Sequence, residues 1–520
     1  MRTARGKKLL WIFAAVLAYL LLLKLLVLAE SGAEGASIRS LSLAFWYSIT
    51  TLTTVGYGDI YPVTKLGRIL GMVFELMSLG VLAAVFSLIL QLVQGKLLPR
   101  IKLFFSRKKT WYVFPEAEES SLILAKKLIK EKDALIVLPT AVRKTADASR
   151  RAVFTDMDAS ILCRMHPALE NVHVFFLGKD EFANEKQAFP LKELGCRVYY
   201  LSENEPTVIP RQISVFHPAE ASARLYWHRF PVQSPNEKIV LVGGGVYGRA
   251  LLEQGLLVNV VSPEQQLHYT LCGDGWDEFF REHPYLSQFI DREPEKTGRD
   301  CLSYNPGPWN QDWKLFEEPD RIVFCEEEEA LNASEAASLL RFCPVKGLVY
   351  ARLSQTADGV IGYGSPEELN TPELIMRRAL NSLAIRLHEK YCESAGRKMP
   401  SWNELGSFLR RSNLASADHL FMKARILLGE EAGQIIDWKK AAACYRDLSD
   451  AGKERCRRIE HERWNRFHLL NNWNYGPVRD NQARIHPLIK PFDALSAEDQ
   501  AKDDYAWELL DQAAEIRPEE

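Results

Sequence analysis

The hexapeptide Thr54-Val55-Gly56-Tyr57-Gly58-Asp59, set between two long apolar runs, constrains this chain more than any other feature. Leu9 to Ala29 is apolar apart from Lys24, and Ile69 to Val93 is apolar apart from Glu75 and a few small or polar residues. Each run is long enough to cross a hydrocarbon core of ~30 Å as a helix. The segment between them is too short to cross again, so it reads as a re-entrant helix from Leu41 followed by extended backbone. Non-helical backbone at membrane depth is tolerated only where protein buries it or where it lines a polar pathway. Gly56 and Gly58 reach backbone angles closed to other residues, which lets successive carbonyls point the same way. Such a row of oxygens replaces a cation's hydration shell, and Thr54 can add its hydroxyl as the innermost layer.

The stretch Thr53-Thr54-Val55-Gly56-Tyr57-Gly58-Asp59 resembles the signature of potassium channels, and Trp46-Tyr47-Ser48 stands where their pore helix carries aromatics that brace the filter. Tyr61-Pro62-Val63-Thr64 and Gly67-Arg68 are similar to bacterial two-span members of that family. The resemblance covers residues 9–95. It implies a homotetramer that binds K+ ions through Thr54, Val55, Gly56 and Tyr57, with Trp46, Tyr47, Thr50, Gly58 and Asp59 as filter support. Two departures from the pattern stand out. Thr50 stands where some relatives hold a carboxylate behind the filter, and Ser78 and Gly80 are the hinge candidates near the usual hinge glycine. Glu75 in an apolar helix is a functional candidate by its cost alone, with a role beside the pore helix and an inward-facing role both open. Neither run carries repeated arginines, so no voltage sensor is expected.

Flanking charge sets the expected orientation. Lys96, Arg100, Lys102, Arg107, Lys108 and Lys109 follow the second run, which places both termini in the cytoplasm of a multi-pass protein of the cell's inner membrane. A secretory signal is the alternative for the first run, after Arg2, Arg5, Lys7 and Lys8. Against it, the run exceeds a usual signal core and no clear small-residue cleavage site follows. A formal net charge of −2 argues against a nucleic-acid partner, which needs concentrated Lys and Arg, and none is expected. All nine cysteines lie beyond residue 109 without a C-x-x-C pair, as reduced core residues with no metal cage or disulfide framework.

After the basic linker the pattern changes to short β-branched and aromatic runs alternating with helical stretches. Trp111 to Phe114, Ala134 to Leu138, Val172 to Leu177 and Arg197 to Leu201 read as buried parallel strands, with Glu118 to Lys130 and Asn184 to Leu194 as helices. That alternation predicts a doubly wound α/β domain. A second unit starts at the strand Lys238 to Val242, followed by Gly243-Gly244-Gly245-Val246-Tyr247-Gly248 and a helix from Arg249 to Gln254. This is G-x-G-x-x-G in the strand-to-helix context that binds a dinucleotide pyrophosphate. Gly243, Gly245, Gly248 and Ser262 are therefore nucleotide-binding candidates, with a glycine turn kept for helix packing as the competing reading. The next strand is placed at Leu257 to Val261, ending in Ser262 where an NAD site has an acidic residue, and Glu264 is the substitute. The corresponding first-unit loop, Pro115 to Glu119, is acidic and should repel phosphate. Gly362-Tyr363-Gly364 reads as a turn, and Glu373 to Tyr391 as a long connecting helix.

Two tandem Rossmann-like units behind a two-span pore resemble the regulator-of-conductance modules of ligand-gated prokaryotic potassium channels. In that family the modules form a ring whose expansion pulls on the pore-lining helices. Beyond Lys398, Trp402-Asn-Glu-Leu405, Arg411-Ser412-Asn413, His461-Glu462-Arg463-Trp464, Trp473-Asn474-Tyr475-Gly476, Arg479-Asp480 and His486-Pro487-Leu488 resemble the ryanodine-receptor repeat domain in its bacterial form. That resemblance implies an all-helical module proposed to bind nucleotide-derived molecules. Trp464, Trp473 and Tyr475 can stack on a base, Arg463 and Arg479 can fork onto phosphate, and Asn413, Asp480 and His486 can read polar edges. The competing reading is a small helical core with Arg and Asp pairing at its rim.

The expected architecture is thus a two-span pore domain at 1–100, Rossmann-like domains at 101–235 and 236–395, and an all-α domain at 396–520. The expected function is a potassium channel gated by a small cytoplasmic ligand, a nucleotide or dinucleotide-type molecule. A channel fused to a nucleotide-processing enzyme and a protein-interaction scaffold are the alternatives. No convincing nucleophile–base pair, metal-ligand cluster or Walker lysine is present, so no catalytic residue is assigned.

Overall fold

A computed structural model describes residues 17–92, 97–143, 151–204, 210, 212–292, 299–356, 358–395, 398–429 and 435–516. The chain divides into two compact units, Met1–Phe105 and Ser106–Glu520.

In the first unit, helix α1 (17–30) is followed by the short helix α2 (Leu41–Leu52) and by α3 (Lys65–Leu92). Ser40 begins α2 by accepting a hydrogen bond from the Leu43 amide at 3.4 Å, one of the donors a helix start leaves unpaired. Leu23 and Leu26 of α1, Ile38, Ala44 and Tyr47 of α2 and Phe74 of α3 form one small core. Tyr19 Oη and Ser48 Oγ, 2.5 Å apart, join α1 to α2. Gly71 lets α3 come close to α2, because a Cβ there would stand 2.9 Å from Tyr47 Oη. Among the described residues no helix is long and apolar enough to cross a membrane. Residues 9–16 of the expected first span lie outside the described residues, and of α3 only the backbone is described at several positions, the hinge candidates Ser78 and Gly80 included.

The second unit contains two six-stranded parallel sheets. The first is built from β1 (Thr110–Val113), β2 (Ala134–Leu138), β3 (Ala152–Phe154), β4 (Val172–Phe176), β5 (Arg197–Leu201) and β6 (Ile213–Phe216), in the order β3-β2-β1-β4-β5-β6. The second, from β7 (Lys238–Val242), β8 (His268–Cys272), β9 (Cys301–Asn305), β10 (Arg321–Phe324), β11 (Leu348–Arg352) and β12 (Val360–Tyr363), has the order β12-β11-β10-β7-β8-β9. Read from its other edge, the second sheet repeats the first. Each is the doubly wound arrangement with a switch point where the order reverses, between β1 and β4 and between β7 and β10.

The two sheets are joined through helices α4 (Pro218–Arg229) and α5 (Val246–Val258). Gly255 of α5 makes room for Trp227 of α4, whose Nε1 donates to Leu251 O at 2.8 Å. The C-terminal helices α6 (Ser407–Leu428) and α7 (Asp450–Leu470) pack on the second sheet with one face and contribute to a core of the helical part with the other, where Leu420, Trp438, Ile459 and Trp507 are buried together. One apolar cluster includes Trp227, Leu251, Tyr269 and Phe279 together with Met422, Phe467, Leu470 and Trp473. Buried polar contacts cross the same seam. Arg224 donates to both Asp418 oxygens at 2.7 and 2.9 Å, Arg466 donates to Asp300 at 2.8 Å, and His419 Nε2 bonds to Val260 O at 2.9 Å.

Four sequence expectations are corrected. The second strand of the second sheet is His268–Cys272, because Leu257 and Val258 complete α5; a short apolar run serves a buried helix end as well as a strand. Gly362 and Tyr363 lie in edge strand β12 and not in a turn. The connection expected as one helix breaks into Pro372–Ile375, a single turn at Ala379–Asn381 and a helix from Ser382 to Ser394. The break is at Arg378, in the left-handed region at φ 50° and ψ 47°. The C-terminal part is not wholly helical, since Asn474–Tyr475 and Ile485–His486 form a two-stranded ladder. The nine cysteines are all free thiols, seven of them buried.

Candidate functional site

At the end of α2 the backbone alternates in hand. Thr54, Gly56 and Gly58 have φ of 58°, 50° and 71°, while Val55 and Tyr57 are not among the residues of positive φ. Alternation of this kind turns successive carbonyls toward one side. The amides of Val55 and Gly56 both donate to Thr50 O, at 3.0 and 3.1 Å, so the last turn of α2 anchors the strand that follows. The Thr50 hydroxyl bonds back into its own helix, to Trp46 O and Tyr47 O. Trp46 stacks on Tyr57 at 6.1 Å with an interplanar angle of 8°, and its Nε1 donates to Asp59 at 3.2 Å. Tyr47 instead faces α3 at Gly71. Val55 and Tyr57 are 51% and 68% exposed in the single chain, so the strand has a free face.

Sequence reasoning missed Glu30. Its fully buried carboxylate accepts from the amides of Val63 and Thr64 at 3.0 and 2.9 Å and from Thr64 Oγ1 at 2.7 Å. Thr64 Oγ1 in turn accepts from the Gly67 amide at 2.8 Å, completing the start of α3. A Cβ at Gly67 would overlap Glu30 Oε1, which is why glycine stands there.

In the second sheet the glycine turn lies at the switch point, where a doubly wound fold holds its ligand. Gly243 has φ 104°, and Gly248 packs so tightly against Gly243 O that a Cβ could not fit. Gly244 is pressed against the next loop, with a Cβ position 2.5 Å from Trp276 N and 2.6 Å from Asp274 O. The chain's own acids face the turn. A Cβ at Gly243 would stand 2.8 Å from the Glu326 carboxyl, and one at Gly245 would be 3.4 Å from Glu327 Oε1. Burial, then repulsion by Glu327 and Asp274, pushes the Glu326 pKa up. The first sheet repeats the arrangement, for the Glu116 carboxylate lies where a Cβ of Gly178 would be. Ser262 is not at the crevice. It lies before β8, donating to Glu264 at 2.7 Å and accepting from Arg455 of α7 at 2.8 Å. The residue that does follow the second strand is Asp274, after Gly273.

The eight candidates of the helical module separate into four places. Trp464, Trp473 and His486 come together with His468 and Phe408. Trp464 and His468 have ring centroids 3.8 Å apart, and Trp473 stacks on Phe408 at 5.1 Å. Trp473 is only 6% exposed and belongs to the core shared with the second sheet. Tyr475, Arg479 and Asp480 are exposed on the loop beyond, where Arg479 donates to Asn481 and Asp480 caps the Gln482 and Ala483 amides. Arg463 points elsewhere, forking onto Glu460 inside the helical core. Asn413 lies half-buried on α6. Trp473→Ala is therefore expected to cost ~3 kcal/mol in stability, whereas Arg479→Ala changes stability by less than ~0.5 kcal/mol. Urea unfolding of the two variants reads the difference.

Two buried histidines make this part acid-sensitive. Burial, aided by Lys423, pushes His419 down to about 3, and burial pushes His468 down to about 3 as well. The unfolded chain takes up these protons near ~6.5, so stability falls as pH drops below that value by ~1.4 kcal/mol per unit for each. His461 opposes this. Its burial lowers the pKa, but Asp503 and the Lys490 carbonyl outweigh that and raise it. Moving from about pH 7.5 to about pH 5.5 is expected to cost ~2 kcal/mol net, measured as faster hydrogen exchange in α7 after correction for intrinsic rates.

Residues 8–95 match the family model described as ion channel, and residues 448–512 match the RyR domain. Over 72 residues the chain is 38% identical to the potassium voltage-gated channel protein Shal of Drosophila melanogaster, covering 14% of this chain and 13% of that one. Over 72 residues it is 35% identical to the A-type voltage-gated potassium channel KCND3 of Rattus norvegicus, covering 14% and 11%. The chain thus spans only a small fraction of the length of the curated relatives it matches. Among solved structures it is similar to the GsuK channel bound to NAD, at 13% identity over 74% of this chain and 84% of that one, with a TM-score of 0.33.

Proposed function

We propose that this chain is one subunit of a homotetrameric potassium-selective channel of the cell's inner membrane, with both termini cytoplasmic, gated by a small nucleotide-derived molecule bound by residues beyond 105. The observation that carries the reading is the alternation of backbone hand at Thr54, Gly56 and Gly58, on a strand braced by Trp46 and left open on one face. Four such strands around an axis would line a pathway with carbonyl oxygens. The two doubly wound sheets and the helices packed on them form the sensing part, because a ligand that binds one arrangement better than another shifts the pore with it. An enzyme reading would need a substrate in one of the two crevices, where Glu116 and Glu326 already stand. The test is flux into liposomes containing the purified full chain. Potassium should pass far faster than sodium, and equal rates would sink the reading.

A further inference from the structure

At the amino-terminal ends of β5 and β6, the ends opposite the switch-point crevice, lies a concavity of about 330 Å³ lined by Arg197, Tyr199, Gln212, Ser214, Arg378 and Asn403, with Met376 as its one aliphatic wall. Four separate stretches of chain supply it. Arg197 and Tyr199 are two apart on β5 and share one face of the sheet. Tyr199 stands directly opposite Ser214 on the edge strand β6. Arg378 belongs to the connection that leaves the second sheet, and Asn403 to the start of the C-terminal helices.

The charge here is unbalanced. Among the described residues neither Arg197 nor Arg378 has a carboxylate partner. Arg378 Nη2 donates to Ser214 Oγ at 2.8 Å. Burial and the nearby Arg410 together disfavour the Arg378 cation, more than Tyr199 favours it. The backbone is strained as well, since Arg378 holds φ 50°, a conformation that glycine adopts freely. An arginine kept there, half-buried and without a counter-charge, is an outlier of the kind that marks ligand sites.

We propose that this concavity binds an anion carrying two phosphate groups, one forked by Arg197 and one by Arg378, with Ser214, Gln212 and Asn403 supplying the remaining hydrogen bonds. Planar guanidinium groups match phosphate oxygens two at a time, and the volume lies at the low end for ligand sites. The site is an open depression with room for the phosphates, and the rest of the molecule would lie outside it. Its walls belong to the first sheet, the connection and the helical part, so an anion bridging the two arginines ties these segments together. As the place of the gating ligand the site rests on the channel reading above, but as a binding site it does not.

Calorimetric titration of the full chain in detergent with inorganic pyrophosphate, at low ionic strength, tests it. Saturable binding is expected, with orthophosphate weaker, and Arg197→Gln and Arg378→Gln should each lower affinity tenfold or more, Arg378→Lys less. Arg378→Gly separates binding from folding: it removes the guanidinium and relieves the strain, so it should lose affinity while melting no lower than the wild type. No binding at millimolar pyrophosphate, equal affinity for orthophosphate, or unchanged affinity in the Arg197→Gln/Arg378→Gly double variant overturns the proposal. Potassium flux is read in parallel. Binding without any potassium selectivity would remove the channel reading alone, and selective flux without pyrophosphate binding would remove this site alone.

Discussion

On the channel reading, Gly56→Ala is expected to abolish potassium flux while leaving the proposed tetramer assembled. A Cβ at Gly56 would meet nothing within 4 Å, so crowding inside the chain is not the obstacle. The backbone is. Gly56 sits at φ 50°, and an L-residue in that region costs ~1–2 kcal/mol. Thr54 already holds φ 58° as a residue with a side chain, so the strand has little tolerance left. With four copies around the pathway the added strain is ~4–8 kcal/mol, enough to favour a strand whose carbonyls no longer all face one way. The amide of Gly56 is also one of the two held by Thr50 O, so a change of hand at this residue releases part of the anchor to α2. Flux of potassium into liposomes, beside the oligomer size of the same sample, checks the result. Wild-type flux in the assembled variant would show that the alternation at Thr54, Gly56 and Gly58 is not what conducts.

Glu460→Gln is expected to unfold the helical part in the range of growth temperature. Glu460 is 3% exposed and bonds to two buried cations, Lys423 at 2.8 Å and Arg463 at 2.6 Å. Burial alone would raise its pKa, but Arg463 and Lys423 overcome this and hold it far below the usual carboxylate range. Removing one partner of a buried pair costs ~3–5 kcal/mol, and here one change leaves two cations behind, so ~5 kcal/mol or more is expected. Lys423→Met behaves differently, because it leaves the Arg463–Glu460 fork complete and puts an apolar chain against Trp507, over which the ammonium now lies at 5.2 Å. Thermal unfolding of both variants should show a large fall in midpoint for Glu460→Gln and a small one for Lys423→Met. Equal midpoints would mean that Asp503 can take over as counter-charge.

Local chemistry in the sequence reached a long way. Gly56 and Gly58 stand out because left-handed backbone has few tenants, and their spacing of two shows an alternating strand. The strands Ala134–Leu138, Arg197–Leu201 and Lys238–Val242 were legible as short β-branched runs between helical stretches, so two doubly wound sheets could be expected. Short apolar runs with no period were not. Leu257 and Val258 serve a helix end, and only their burial against the second sheet distinguishes that from a strand.

Tertiary structure alone decided what lies in the crevices and which arginines meet. G-x-G-x-x-G records the room made by three glycines but not what enters it, and Glu326 comes from a loop 83 residues beyond Gly243. Trp473 and Arg463 are close in sequence, yet Arg463 on α7 forks onto Glu460 while Trp473, beyond the end of α7 at Leu470, enters the core shared with the second sheet. Arg197 and Arg378 are far apart in the chain and carry no motif. They converge because a parallel sheet lines up strand ends and because Arg378 breaks its helix there, and charge that is gathered by folding leaves no spacing in a sequence to read.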